Sequence, residues 1–147
     1  MKTISEAKTF LNENYKDGCI CPCCNQTVKL YKRKLNSGMA RVLIAMYKKG
    51  GSFFHVKDYL REYNIKNTHD WTLLKYWGLI EPMDNHKGGQ ELGYWSITEK
   101  GKQFCKGEMQ IQKHVLIITN KMIGFSNEDT DIVESLGNHF DYNELMN

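Results

Sequence analysis

Only two prolines interrupt this chain and no low-complexity run occurs, which argues against long disordered linkers. No apolar stretch approaches the roughly 20 residues that a membrane span requires, so no membrane association is expected. The opening MKTISEAKTFLNEN has no uninterrupted apolar core and does not read as a secretory signal. A cytoplasmic location is expected, where clustered cysteines more often bind metal than form disulfides. No Ser/His/Asp order, glycine-rich phosphate loop or paired-carboxylate motif stands out. The five histidines are too scattered to support a catalytic pair. The chain is therefore expected to be non-catalytic. It has no internal repeat.

Charge of one sign is missing from two long intervals. Between Asp17 and Asp58 there is no acidic residue, while Lys29, Lys32, Arg33, Lys34, Arg41, Lys48, Lys49 and Lys57 all fall there. After Lys121 there is no lysine or arginine, and Glu128, Asp129, Asp131, Glu134, Asp141 and Glu144 follow. The net charge of +3 conceals this division. It implies one half that faces a polyanion and one acidic half, or two faces that pair with each other or with a second copy. The 147 residues suit one domain, or one domain with a small appendage, and the 41% apolar content is enough for a real core.

Local signals divide the chain into elements. Residues 3–15 read as an amphipathic helix: Thr3 and Glu6 have capping-box spacing, and Ile4, Ala7, Phe10, Leu11 and Tyr15 share a face, with Gly18 closing it. Residues 27–35 are open between a strand and a helical turn. Ser37 is read as the cap of a helix through Lys49, with Met39, Val42, Leu43 and Met46 inward and Gly50-Gly51 ending it. Phe53 and Phe54 suit a minimal strand. Val56, Tyr59, Leu60 and Tyr63 mark the next helix. A third helix, capped by Asn67 or Thr68, turns Trp71, Leu74 and Trp77 inward and stops at Gly78. Leu79 and Ile80 form a short strand ahead of Pro82, which cannot donate to a ladder. Gly88 and Gly89 reverse the chain into a strand carrying Tyr94, Trp95 and Ile97, and Thr98 caps a further helix. From Met109 to Phe125 the pattern alternates, with Asn120-Lys121 as the turn of a hairpin. A short helix near 129–136 ends at Gly137, and Asp141 caps a last turn.

The stretch WTLLKYWGLIEPMDNHKGGQELGYWSITEKGKQF, Trp71 to Phe104, resembles winged helix-turn-helix DNA-binding proteins. In that family a leucine-containing helix ends in GLI and a later strand ends in W-x-I-T-x-x-G. The resemblance implies an α+β fold with a winged-helix core. Three parts are expected: residues 1–35 with an N-terminal helix, cysteine knuckle and basic segment; 36–106 as the winged helix; and 107–147 with a C-terminal β-hairpin, short helices and the acidic tail. It further implies that the third helix approaches a groove through Thr68, His69, Thr72, Lys75 and Tyr76. His86 and Lys87 lie on the wing.

Cys19, Cys21, Cys23 and Cys24 fall within six residues, in CICPCC. Two thiolates separated by two residues can hold one tetrahedral metal, since the tight turn brings both sulfurs to about 2.3 Å from it. The Cys21–Cys24 portion resembles the CPxCG half of a zinc ribbon, with Asn25 where glycine is usual. A structural zinc on Cys19, Cys21 and Cys24 is expected. The fourth ligand is left open between a second chain and His55, His69, His86, His114 or His139. A redox CxxC is disfavoured because no βαβ pattern surrounds it.

The segment VKLYKRKLNSGMAR carries Lys29, Lys32, Arg33, Lys34 and Arg41 around Tyr31. Lysines bind phosphate as point charges and arginine as a planar fork, with an affinity that falls steeply with salt. The expected function is nucleic-acid binding, with DNA as the partner, in transcriptional regulation. The alternative is a protein-binding adaptor or inhibitor that engages its partner through the acidic tail. A homodimer fits either reading.

Overall fold

A computed structural model describes residues 3–66, 69–84, 90–119 and 121–147. In chain order the elements are α1 (Ile4–Asn14), β1 (Cys19–Ile20), β2 (Thr27–Val28), β3 (Leu30–Lys34), α2 (Ser37–Lys49), β4 (Phe54–His55), α3 (Val56–Glu62), a 3-10 helix (His69–Trp77), β5 (Ile80–Asp84), β6 (Gln90–Ile97), α4 (Glu99–Cys105), β7 (Ile111–Gln112), β8 (His114–Ile118), β9 (Lys121–Phe125), β10 (Asp129–Thr130), α5 (Ile132–Leu136) and α6 (Tyr142–Met146). The class is α+β, with small antiparallel sheets ordered β1-β2, β3-β8-β9, β4-β6-β5 and β10-β7.

These elements form two compact units, neither continuous in sequence. One holds the chain through Lys34 together with His114–Ser126; the other holds Leu35–Lys113 together with Asn127–Asn147. The hairpin predicted between 109 and 125 leaves the rest of the C-terminal segment and pairs with the basic segment instead.

In the first unit, α1 starts where Thr3 Oγ1 accepts the Glu6 N–H at 3.1 Å. The open choice at 27–35 resolves as strand. Leu30 pairs with Ile118 and Lys34 with His114, so β8 is the middle strand and β3 and β9 are its edges. Val115 and Ile117 on β8 are buried. Lys121 pairs with Ile118 and so belongs to the strand rather than to the turn; Asn120 lies outside the described residues.

The second unit is built around α2. Met39, Ala40, Val42, Leu43, Ile44 and Met46 are all buried, because the 3-10 helix, β6, α4, α5 and α6 each pack against this helix. Each such aliphatic side chain removed from water contributes about 1.5–3 kcal/mol before entropy is counted. The cap of α2 is Asn36, not Ser37: its extended backbone leaves Oδ1 to accept the Met39 N–H at 2.9 Å. Gly50, at φ +95°, ends it.

The segment expected as a third helix is a 3-10 helix. Three residues per turn put Trp71, Leu74 and Trp77 in one row, and all three are buried. The Trp71 ring meets Trp95 edge-on at 5.6 Å, and Trp77 Nε1 donates to the Gln112 carbonyl at 2.7 Å. Gly78, at φ +72°, ends the row. Strand β5 does not stop before Pro82 but runs to Asp84, with Pro82 opposite Trp95. It can, because β5 is an edge strand, where a proline is tolerated. Caps at Thr98, Asp131 and Asp141 start α4, α5 and α6.

Candidate functional site

Strand β3 carries the basic segment at a sheet edge. Tyr31, Lys32, Arg33 and Lys34 are all exposed, although successive side chains point to opposite faces. At the edge of the sheet these side chains stay exposed on either side, so charge can accumulate without desolvation. On the face shared with Val115 and Ile117 stand Arg33 and Tyr31; on the other stand Lys32 and Lys34. Lys29 precedes the strand. Its ammonium lies 5.8 Å from the Tyr31 ring centre, and its methylenes fill the space beside Gly18, where a Cβ would meet Lys29 Cδ at 3.3 Å. The Leu30 N–H donates to the Tyr15 carbonyl at 2.9 Å, tying the start of β3 to the end of α1.

Arg41 belongs to the other unit. Its guanidinium stacks 5.7 Å from the Phe140 ring centre, and it helps to line a cleft of about 490 Å³ with Lys48, Tyr59, Tyr63 and Glu144. The 3-10 helix exposes Lys75, with its ammonium 5.2 Å from the Tyr76 ring centre, while Thr72 and Tyr76 are half-buried. Thr68, Lys87 and the side chain of His69 lie outside the described residues. The structure therefore groups Lys29, Lys32, Arg33 and Lys34 in one unit, and Arg41, Thr72, Lys75 and Tyr76 in the other.

The acidic tail is partly engaged within its own unit. Ile132 and Leu136 are buried, α5 and α6 pack on α2, Glu134 pairs with Lys113 at 3.8 Å, and Lys48 Nζ donates to the Asn147 carbonyl at 3.4 Å. The Tyr142 hydroxyl donates to the Cys105 carbonyl at 2.5 Å. The cleft and the Arg41–Phe140 stack had no sequence signal beyond charge asymmetry.

The cysteine turn closes the β1–β2 hairpin. Cys19 pairs with Val28 and Ile20 with Thr27; beyond them the Cys21 N–H donates to the Gln26 carbonyl at 2.8 Å. The Asn25 N–H donates back to the Cys21 carbonyl at 2.9 Å, and Asn25 stands at φ +60°, a conformation it tolerates better than most residues. The N–H groups of Cys24 and Cys23 reach the Cys21 sulfur and hold its thiol below its ordinary value. All five cysteines are free thiols. Among the described residues no group of three or more Cys, His, Asp or Glu side chains is arranged to hold a metal. His55 caps α3, its Nδ1 accepting the Asp58 N–H at 3.2 Å, and His114 Nδ1 lies 3.4 Å from Ser126 Oγ. Cys105 is buried in the second unit, and burial pushes its thiol up to about 12.

No family model, no curated protein and no solved structure matches this chain.

Proposed function

We propose that this chain is a non-catalytic nucleic-acid-binding protein of the winged-helix type, acting on DNA in transcriptional regulation. The order α2, β4, α3, 3-10 helix, β5, β6, α4, with β6 between β4 and β5, supports the winged-helix assignment. The observation that carries the binding is strand β3: Tyr31, Lys32, Arg33 and Lys34 exposed in succession on a sheet edge. Lysine and arginine there hold phosphates and set affinity, which by itself reads no sequence. The 3-10 helix offers one exposed lysine, Lys75, and contributes orientation rather than strength.

That sparse helix surface also favours the second reading, a protein-binding adaptor on the same scaffold. The two separate in one experiment. Titration of the chain onto random duplex DNA at two salt concentrations shows a steep loss of affinity with salt under the first reading. Absence of binding at low salt would leave the adaptor.

A further inference from the structure

Cys21 and Cys24 have the spacing of half of a tetrahedral metal site. Their turn is fixed before any metal arrives, by the Cys21–Gln26 and Asn25–Cys21 backbone hydrogen bonds and the left-handed Asn25. Cys21 is buried and Cys24 exposed on this turn. A closed zinc site needs four ligands. Among the described residues no third ligand joins this pair.

We propose that one zinc ion bridges two copies of this chain, each supplying the thiolates of Cys21 and Cys24. The four sulfurs complete a tetrahedron at about 2.3 Å from the metal, and each thiol that binds releases its proton to solvent. No electron is transferred. A second copy is the occupant because an incomplete pair is complemented by an identical pair across a two-fold axis. The surface is also open to it: Cys24 is exposed, and Ile20, just before the turn, is 61% exposed. This site rests on the cysteine turn alone and stands apart from the nucleic-acid reading.

The test uses the full chain, reduced and stripped of metal, titrated with zinc while its mass is followed by sedimentation equilibrium. The expected result is one zinc per two chains and a doubled mass that chelator reverses. Cobalt in place of zinc should give the absorption of a tetrahedral four-thiolate site. Cys24→Ser should abolish both metal uptake and dimer; Cys19→Ser and Cys23→Ser should change neither. Zinc uptake without a change in mass, a dimer that persists in Cys24→Ser, or no uptake at all would overturn the proposal. The cobalt spectrum is read on the unaltered chain, so it decides the ligand set even if a variant is unstable.

Discussion

The hydroxyl of Thr98 donates to the carbonyl of Gly78 at 2.5 Å and accepts the Gly101 N–H at 3.1 Å. One side chain thus closes the end of the 3-10 helix and opens α4, across the β5–β6 hairpin. The Thr98 N–H adds a bond to the Leu79 carbonyl at 3.0 Å. Thr98→Ala should cost about 1–2 kcal/mol in chemical denaturation, the loss of a cap together with an unmet carbonyl. Thr98→Ser should recover most of it.

Gly101 sits in the first turn of α4, pressed against the same corner. A Cβ there would lie 2.3 Å from the Leu79 carbonyl oxygen and 2.7 Å from Ile97 Cγ1. The first of these is backbone and cannot rotate away. Gly101→Ala should therefore destabilise by about 3 kcal/mol, despite alanine's better helix propensity. A gain in melting temperature would show the corner to be looser than described.

Cys105 should not react while the chain is folded. Burial raises its thiol from an ordinary 9.0 to about 12, so almost no thiolate forms at pH 8. Alkylation followed by mass spectrometry should label the exposed Cys23 and Cys24 in native protein, and Cys105 only in denaturant. The raised value also fixes a sign. The unfolded thiol loses its proton near 9 while the folded one keeps it, so this stability is complete below pH 9 and is lost progressively from pH 9 to about 12.

Replacing Lys32, Arg33 and Lys34 together with Ala should weaken duplex binding and flatten its dependence on salt. If all three meet phosphates, the slope of log K against log salt should fall by about 3. These side chains are exposed, so circular dichroism should be unchanged. Unaltered affinity in the triple variant would place the phosphate-binding surface elsewhere.

Asn25→Gly should leave the cysteine turn intact, whereas Asn25→Val should strain it by about 1–2 kcal/mol, because φ +60° opposes a β-branched residue. Zinc uptake, measured by calorimetry, should weaken for valine alone.

Much of this architecture was legible because its causes are local. Thr3, Thr98 and Asp141 act within one helical turn of themselves, and Gly78 and Gly137 end elements through their own backbone angles. The left-handed Asn25 follows from its residue type in the same way. What failed to show depends on neighbours distant in sequence. Pro82 lies within a strand because β5 has no partner on its far side, and no local pattern reports that. The spacing of Trp71, Leu74 and Trp77 fits three residues per turn and one face of an α-helix alike. Alternation marks β8 as a strand without naming β3 as its partner.

The pairing of Leu30 with Ile118 has a consequence for synthesis. At about 5–20 residues per second, roughly 5 to 20 s pass between the ribosome's addition of the first residue and of its partner. For that interval the basic strand has no ladder to join, and the unit around the cysteine turn waits for a segment made long after it. Closing so long a loop early is entropically costly and slow. The cysteines and the positive charge therefore meet the cell first as unstructured chain, open to metal, chaperone or nucleic acid before the sheet that will carry them exists.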